Sequence, residues 1–163
     1  MGAIFDVMEE FFKKDEWPAT KLENQPSMSM NFQGQNGRWS CYARVEEEKQ
    51  IVLFYSYCPV KAPEEKRPIL ADFLTRANYG LYIGNFEMDF NDGEVRFKTS
   101  LDVEGNKSVA EEGKEPTELS FALMKRVVYD NVGVMDKYLP GVMSVIYGGA
   151  SPTEAIAKVE GGA

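Results

Sequence analysis

The fold class is indicated most directly by the segment SMSMNFQGQNGRWSCYARVEEEKQIVLFYSYC, residues 27–58. Within it apolar and polar residues alternate, as they do along a half-buried β-strand. An Asn-Gly pair and the run EEEK divide the stretch into three segments, so the sequence predicts an antiparallel meander of three strands. The third segment, IVLFYSYC, is apolar on both faces, which predicts a central strand covered from both sides.

The two cysteines of the chain, Cys41 and Cys58, lie in separate segments of this meander. A hairpin that turns at EEEK places Cys41 opposite Phe54 and away from Cys58. The spacing also lacks a CxxC motif. We therefore expect no disulfide and two buried, reduced thiols.

A second pair of strands is predicted in IGNFEMDFNDGEVRFKTS, residues 83–100, where acidic residues surround a glycine. An EF-hand loop that starts at Asp89 fails, because Gly93 stands fifth and Ser100 twelfth, where ligand oxygens are needed. A hairpin around Asp92-Gly93 explains the pattern better. It gives cross-strand pairs of opposite charge on one face and apolar pairs on the other: Glu87 with Lys98, Asp89 with Arg96, Met88 with Phe97, and Phe90 with Val95. A three-residue loop with a glycine bulge is the alternative.

Helical spacing of apolar residues predicts four helices. The first covers GAIFDVMEEFFKK and ends before Pro18, and the second begins somewhere between Pro63 and Pro68. A long helix follows Thr117 as its cap, with a kink or interruption at Pro140-Gly141.

A short tail helix is predicted in SPTEAIAKVE, where Ser151 and Glu154 form a capping box. The charged segment between the second strand pair and the long helix, residues 102–116, has no periodicity and predicts an exposed, mobile loop.

These elements predict an α+β fold in the order α-β-β-β-α-β-β-α, with an antiparallel sheet of about five strands and helices packed on it. The length of 163 residues suits one compact core. We expect one domain over residues 1–147, and a tail helix in residues 148–163 joined through glycines.

Composition excludes several classes of function. The chain has no histidine, which removes Ser-His and Cys-His nucleophiles and histidine-ligated metals. Its formal net charge of −8 disfavours nucleic-acid binding, which depends on Lys and Arg contacts with phosphates. No apolar run is long enough to span a bilayer, and the N-terminus lacks a signal-peptide pattern, so we expect a cytoplasmic protein without a membrane contact.

Two longer motifs resemble those of a known family. They are YGLYIGNFEMDFNDGEVRFKTSLDVEG, residues 79–105, and VVYDNVGVMDKYLPGVMSVIYGGASPTEAI, residues 127–156. Both resemble the YbjN-domain family, in particular its cyanobacterial-type members. The resemblance implies a fold like that of type III secretion chaperones and, for some members, a sensory-transduction or stress-regulating role. It implies no catalytic residues and no cofactor.

Three classes of function remain. The first is a non-enzymatic protein-binding module, chaperone-like or adaptor-like, that uses a sheet face, a sheet edge or a dimer surface. The second is a small-ligand sensor, with a pocket between the sheet and the long helix. Its predicted lining is Tyr55, Tyr57, Tyr82 and Tyr138. The third is an enzyme that uses carboxylates alone around a metal, such as Asp89, Asp92 and Glu94, although the hairpin already accounts for them.

We favour the protein-binding module, with no catalytic, cofactor or metal residues. A protein partner is expected, and a homodimer is plausible because the long helix carries more apolar surface than one sheet needs.

Overall fold

A single antiparallel sheet organises the molecule. The computed structural model describes residues 2–110 and 116–161. The strands are β1 (Thr20–Lys21), β2 (Ser27–Gln33), β3 (Arg38–Glu46), β4 (Ile51–Tyr57), β5 (Asn85–Met88) and β6 (Val95–Asp102). They are ordered β1-β2-β3-β4-β6-β5. The predicted α+β class and meander are confirmed, and the strand count is six because β1, at two residues, is too short to show a periodicity.

The helices pack on one face of this sheet. They are α1 (Ala3–Lys14), α2 (Arg67–Asn78), α3 (Lys107–Ala110), α4 (Glu118–Ile146) and α5 (Pro152–Gly161). Contacts of α1 with β3, of α2 with β5 and of α4 with β4 and β6 build the core, while α5 packs against α2 and α4. Within the described ranges, no helix combines the length and apolar character needed to cross a bilayer.

The predicted helix caps are confirmed. Thr117 Oγ1 accepts from the backbone N–H of Ser120, whose own hydroxyl accepts from the N–H of Thr117. In the tail helix, the N–H of Ser151 donates to Glu154 Oε2 at 2.9 Å and the N–H of Glu154 donates to Ser151 Oγ at 3.2 Å. The N-terminal caps of α4 and α5 therefore provide acceptors for backbone N–H groups that have no partner within the helix.

The long helix α4 is not interrupted at Pro140, which lies inside it. A proline has no N–H to donate to the carbonyl four residues earlier. That carbonyl, of Asp136, accepts instead from Asn36 Nδ2 at 2.9 Å. The Asp136 carboxylate also accepts from the backbone N–H groups of Gln35 and Asn36. The β2–β3 turn thus supplies the bond that Pro140 removes and fixes itself to α4.

The predicted register between β3 and β4 is wrong by two residues. Cys41 pairs with Ser56, and Phe54 pairs with Ala43. The turn has the same number of residues as EEEK but lies one residue later, at residues 47–50, because Glu46 pairs with Ile51, Glu47–Lys49 form a 3₁₀ turn and Gln50 takes a left-handed conformation with φ 52°. A shift of two residues leaves each side chain on the same face of the sheet.

Both cysteines are free, as predicted. Cys41 is buried and Cys58 is half-buried. Burial raises the pKa of each thiol to about 11.

The β5–β6 register is also wrong by two residues. Glu87 pairs with Arg96 in the structure. The loop spans residues 90–93, because the N–H of Gly93 donates to the Asp89 carbonyl at 2.7 Å and the Asp89 N–H bonds the Glu94 carbonyl. This shift of two residues also leaves each side chain on the predicted face of the sheet. Glu87 consequently bonds Arg96 at 3.0 Å and, diagonally, Lys98 at 3.4 Å, so the predicted contact with Lys98 is present in a different geometry.

The segment predicted as an exposed loop, residues 102–116, is anchored at two points. Val103 and Val109 are both buried, the latter on the short helix α3. The prediction of full exposure is therefore wrong for these positions, since the two apolar side chains are too few and too far apart to show a period. The part of this prediction that concerns residues 111–115 lies outside the described residues.

Candidate functional site

One face of the sheet is not covered by a helix in the described part of the chain. Along β4, Val52 and Phe54 point toward the helices and are buried, whereas Leu53, Tyr55 and Tyr57 point away and are half-buried. The prediction that β4 is covered from both sides is wrong. Its outward side chains are shielded by one another and by long neighbours on β3 and β6, not by a second layer.

We call this surface the open face. It comprises the outward residues of five strands: Ser29, Asn31, Arg38, Ser40, Tyr42, Arg44, Ile51, Leu53, Tyr55, Tyr57, Glu87, Arg96 and Lys98.

Three tyrosines form the centre of the open face. The ring of Tyr42 lies 5.5 Å from that of Tyr57, at 81° to it, and the rings of Tyr55 and Tyr57 are 6.2 Å apart. Tyr42 pairs with Tyr55 across β3 and β4. Such edge-on packing holds the rings in place without covering them. The result is an aromatic patch, with 39% of Tyr42 exposed, beside the aliphatic Leu53.

Arg96 fixes one side of this patch. Its guanidinium lies over the ring of Tyr55, 4.6 Å from the centroid, and its Nη1 donates to the Tyr57 hydroxyl at 3.4 Å. Its Nε donates to Glu87 at 3.0 Å. An arginine placed in this way combines cation–π contact with an ion pair, which restricts the side chain before any partner arrives.

The charge of the open face differs from that of the chain. Four basic side chains and one acidic side chain lie on it: Arg38, Arg44, Arg96 and Lys98, against Glu87. Two further acidic side chains, Glu46 and Asp102, stand at its margins. Glu46 and Glu87 are already in ion pairs with residues of the face. The acidic excess behind the net charge of −8 therefore lies elsewhere on the molecule.

A groove of about 300 Å³ borders the patch on the β2 side. Its walls are polar backbone and side chains near Thr20, Asn31 and Ser40, and Tyr42 and Arg38 belong to both the groove and the open face. The patch therefore continues into a concave margin of the sheet.

The sheet edge at β5 is less available than the open face. The side chain of Asn78 accepts from the N–H of Phe86 at 2.6 Å and donates to its carbonyl at 3.1 Å. An unpaired strand edge binds another strand through such groups. Asn78 occupies those of Phe86, which disfavours the binding of a partner strand at this edge.

The predicted sensor pocket does not form. Tyr55 and Tyr57 lie on the open face, Tyr138 is buried on α4 on the other side of the sheet, and Tyr82 is 99% exposed in the loop after α2. The prediction is wrong because side chains alternate between the two faces along β4. Val52 and Phe54 face the helices, so Tyr55 and Tyr57 must face the other way. The alternation of Arg38, Ser40, Tyr42 and Arg44 in β3 was the signal for an outward face.

The carboxylates considered for metal chemistry serve the β5–β6 turn. Asp89 Oδ1 accepts from the N–H of Asn91, and Asp92 Oδ1 accepts from that of Glu94. Lys61 lies 2.5 Å from Asp92, and its hydrogen bond holds the pKa of that carboxyl below its usual value. In residues 2–110 and 116–161, no three acidic or cysteine side chains converge on a possible metal position.

Comparison with known proteins points to one family. Residues 5–112 match the family model of YbjN, described as "Putative bacterial sensory transduction regulator". A search of curated protein sequences gave no match.

Two solved structures are similar. The crystal structure of "YbjN, a putative transcription regulator from E. coli" aligns with a TM-score of 0.53 and 12% identity, over 82% of this chain and 89% of that one. The ExsC–ExsE complex aligns with a TM-score of 0.45 and 15% identity, over 83% of this chain and 92% of that one. The first alignment supports the fold, and the second is too weak to carry an argument.

Proposed function

The chain belongs to the YbjN family, and from this premise we propose that it is a non-enzymatic regulatory module that holds a partner protein on the open face. Its role is that of an adaptor or a chaperone-like binder. The observation that carries the proposal is the uncovered surface of β4, where Leu53, Tyr55 and Tyr57 face away from every described helix. The proposal assigns no catalytic residue, metal ion or cofactor.

The residue types of the open face suit a protein partner. Tyrosine and arginine are enriched among residues that dominate binding energy. Tyrosine buries a large area with only two side-chain torsions to order, and the planar guanidinium of arginine makes several hydrogen bonds at once. Tyr42, Tyr55 and Arg96 are held by mutual contacts before binding, which lowers the entropy lost on association. Scattered exposed apolar residues are normal, but a contiguous patch with fixed aromatic rings indicates an interaction site.

The charge of the open face indicates the partner's chemistry. Arg38 and Arg44 are exposed near opposite ends of β3, and Arg44 pairs with Glu46. A partner segment with apolar side chains for the tyrosine patch and carboxylates for these arginines is complementary to this face and is repelled by the acidic remainder of the chain. We also place this interaction in the cytoplasm, since two free cysteines suit a reducing compartment.

The test is affinity capture of the tagged chain from its own cells at physiological salt, with mass spectrometry and light scattering on the eluate. The open-face variant carries Tyr42→Ser and Leu53→Ser, and the matched control carries Tyr82→Ser at an exposed tyrosine off this face. We expect a stoichiometric protein with the native chain and the control, and at least about a tenfold loss with the open-face variant.

Equal capture by both variants, no captured protein, or recovery of nucleic acid alone would contradict the proposal. A homodimer that the open-face variant abolishes would assign the face to a second copy of the chain. Circular dichroism of each variant separates lost binding from lost folding.

A further inference from the structure

The side of α4 that faces away from the sheet is exposed along the whole helix. Asn131 bonds the carbonyls of Phe54 and Phe97 in the sheet, and Gly133 points about 160° away from it, since an α-helix turns about 100° per residue. The exposed residues within about 40° of Gly133 form one stripe, which we call the back face. It consists of two charged residues, Arg126 and Lys137, and six uncharged ones: Leu119, Ala122, Tyr129, Gly133, Pro140 and the C-cap residue Tyr147.

The back face is less polar than the solvent side of a helix normally is. Charged and polar residues usually occupy that side of an amphipathic helix. Here Leu119, Tyr129 and Tyr147 are instead 57%, 44% and 65% exposed. A row of exposed apolar and aromatic side chains along one helix indicates contact with another protein surface.

Gly133 lies at the centre of the back face, where the fold of one chain gives no reason for a glycine. Glycine in the interior of a helix is less favourable than alanine. A Cβ at Gly133 would meet no atom of the described residues within 4 Å. The missing side chain therefore serves a close approach from outside the chain, as glycine does where two helices cross.

Two copies of α4 that cross antiparallel at Gly133 are complementary in shape. In this arrangement, residues equally far before and after Gly133 lie at the same height along the pair. Leu119 is then level with Tyr147 of the second copy, at both ends of a contact about 42 Å long, since the rise is about 1.5 Å per residue. A crossing angle of about 20°, which is common between long helices, brings these two side chains together.

The charges on and beside the back face match in the same arrangement. Within one copy Arg126 pairs with Asp130, whereas Lys137 has no carboxylate partner in residues 2–110 and 116–161. Asp130 precedes Gly133 by three residues and Lys137 follows it by four. Asp130 and the Lys137 of the second copy therefore differ by only about 2 Å in height and lie on the same side of the contact. Each lysine then has a carboxylate on the other copy.

We propose that the back face of α4 binds the back face of a second copy of this chain, antiparallel and related to it by a two-fold axis beside Gly133. The contact covers the exposed apolar side chains of both copies. The two open faces point outward on opposite sides of this dimer, so one dimer presents two such faces, and a partner with two binding segments gains avidity. The dimer goes beyond the proposed function and does not depend on it.

The test is the self-association constant of the purified full chain, measured by sedimentation equilibrium and light scattering over a wide range of concentration. Gly133→Leu places a large side chain at the crossing point and keeps a good helix former there. Ala157→Leu is the matched control, at an exposed position of α5 that lies off the back face. Lys137→Glu brings carboxylates together across the pair, and the addition of Asp130→Lys restores opposite charges.

We expect the native chain and the Ala157→Leu variant to dimerise with equal constants. Gly133→Leu weakens the dimer at least about tenfold, because its side chain separates the helices at their closest point. Lys137→Glu weakens it at least about threefold, and the double charge variant recovers most of that loss. Urea unfolding of each variant separates lost association from lost folding.

A chain that stays monomeric at every concentration overturns the proposal. A dimer that Gly133→Leu leaves unchanged also overturns it, as does one that the open-face variant abolishes and Gly133→Leu does not. Should Gly133→Leu not fold, the charge variants decide: a double variant that associates no better than Lys137→Glu alone contradicts the antiparallel contact. These measurements use the purified chain, so their outcome is independent of whether the open face captures a partner.

Discussion

Replacing Asn131 by aspartate is expected to make the stability of the chain depend strongly on pH. Asn131 is fully buried on α4, and its Nδ2 lies 2.9, 3.0 and 3.1 Å from the carbonyl oxygens of Phe54 and Phe97 and from Thr99 Oγ1, three acceptors that share its two N–H groups. Its Oδ1 meets no donor among the described residues. The change Asn131→Asp keeps the shape of the side chain and replaces the donor by an oxygen that faces three acceptors.

The magnitude follows from protonation. In the folded state the introduced carboxyl is buried among acceptors, so its pKa is raised above the ordinary value of about 3.9 and the group stays protonated. A group whose pKa is higher in the folded than in the unfolded state stabilises the fold fully at pH values below its unfolded pKa. This stabilisation is lost as the pH rises toward the folded pKa. The free energy of unfolding then falls by about 1.4 kcal/mol per pH unit above about pH 4, or roughly 4 kcal/mol by pH 7 if the group stays neutral throughout.

The assay is urea unfolding of the native chain and the variant from pH 4.5 to 8, followed by circular dichroism. Asn131→Leu is the control, since it removes the same hydrogen bonds without adding a charge. The two carbonyls belong to the paired strands β4 and β6. The loss of their hydrogen bonds with Asn131 is expected to lower the free energy of unfolding by about 1–2 kcal/mol at every pH. Parallel pH profiles for the aspartate and leucine variants would refute the reasoning, because they would mean that the introduced carboxyl reaches water.

Three further predictions concern other contacts. Glu47→Ala is expected to lower the free energy of unfolding by about 1 kcal/mol, because its carboxylate accepts from a backbone N–H in the first turn of α1, as measured by urea denaturation. Asn36→Ala is expected to cost about 1–2 kcal/mol in the native chain and less in a Pro140→Ala background, where the helix regains its own donor; a double-mutant cycle measures the difference. Cys41 and Cys58 are expected to react with a disulfide reagent at pH 8 at least about tenfold more slowly than free cysteine, and at the free rate in urea, because thiolate is the reactive form.

Each of these has a defined contrary result. An effect of Glu48→Ala, at the exposed neighbouring position, equal to that of Glu47→Ala would indicate a general charge effect rather than a cap. Additive losses in the Asn36 and Pro140 cycle would show that Asn36 does not serve the carbonyl that Pro140 leaves unpaired. Rapid modification of the folded chain would show that the thiols are accessible and ionised.

The parts of the fold that follow local periodicity could be predicted from the sequence. Alternation assigned the faces of β3, and caps at Thr117 and Ser151 located the starts of two helices. The strand registers could not be predicted, because they depend on the length and position of each turn, and these depend on contacts within the turn. The N–H of Asn91 donates to Asp89 Oδ1 in a β5–β6 loop that is longer than two residues, and the left-handed Gln50 places the β3–β4 turn one residue later than EEEK.

The candidate site was harder to predict than the fold. The run of apolar residues in β4 is compatible with burial on both faces, and only the placement of all helices on one side distinguishes the two arrangements. Likewise, Pro140-Gly141 predicted a kink or an interruption of α4, and the absence of an interruption could not be predicted because the compensating donor, Asn36, comes from a distant turn. Both failures arise from contacts between segments far apart in sequence, which a local pattern does not contain.

The strict alternation of buried and outward residues in β3 and β4 has a consequence for how such a chain diverges between species. Every second position carries the stability of the fold, and the positions between them carry little of it. Lineages can therefore exchange the outward residues while inheriting the same sheet. A single scaffold of this kind can present many different outer surfaces, each defined by a few outward side chains.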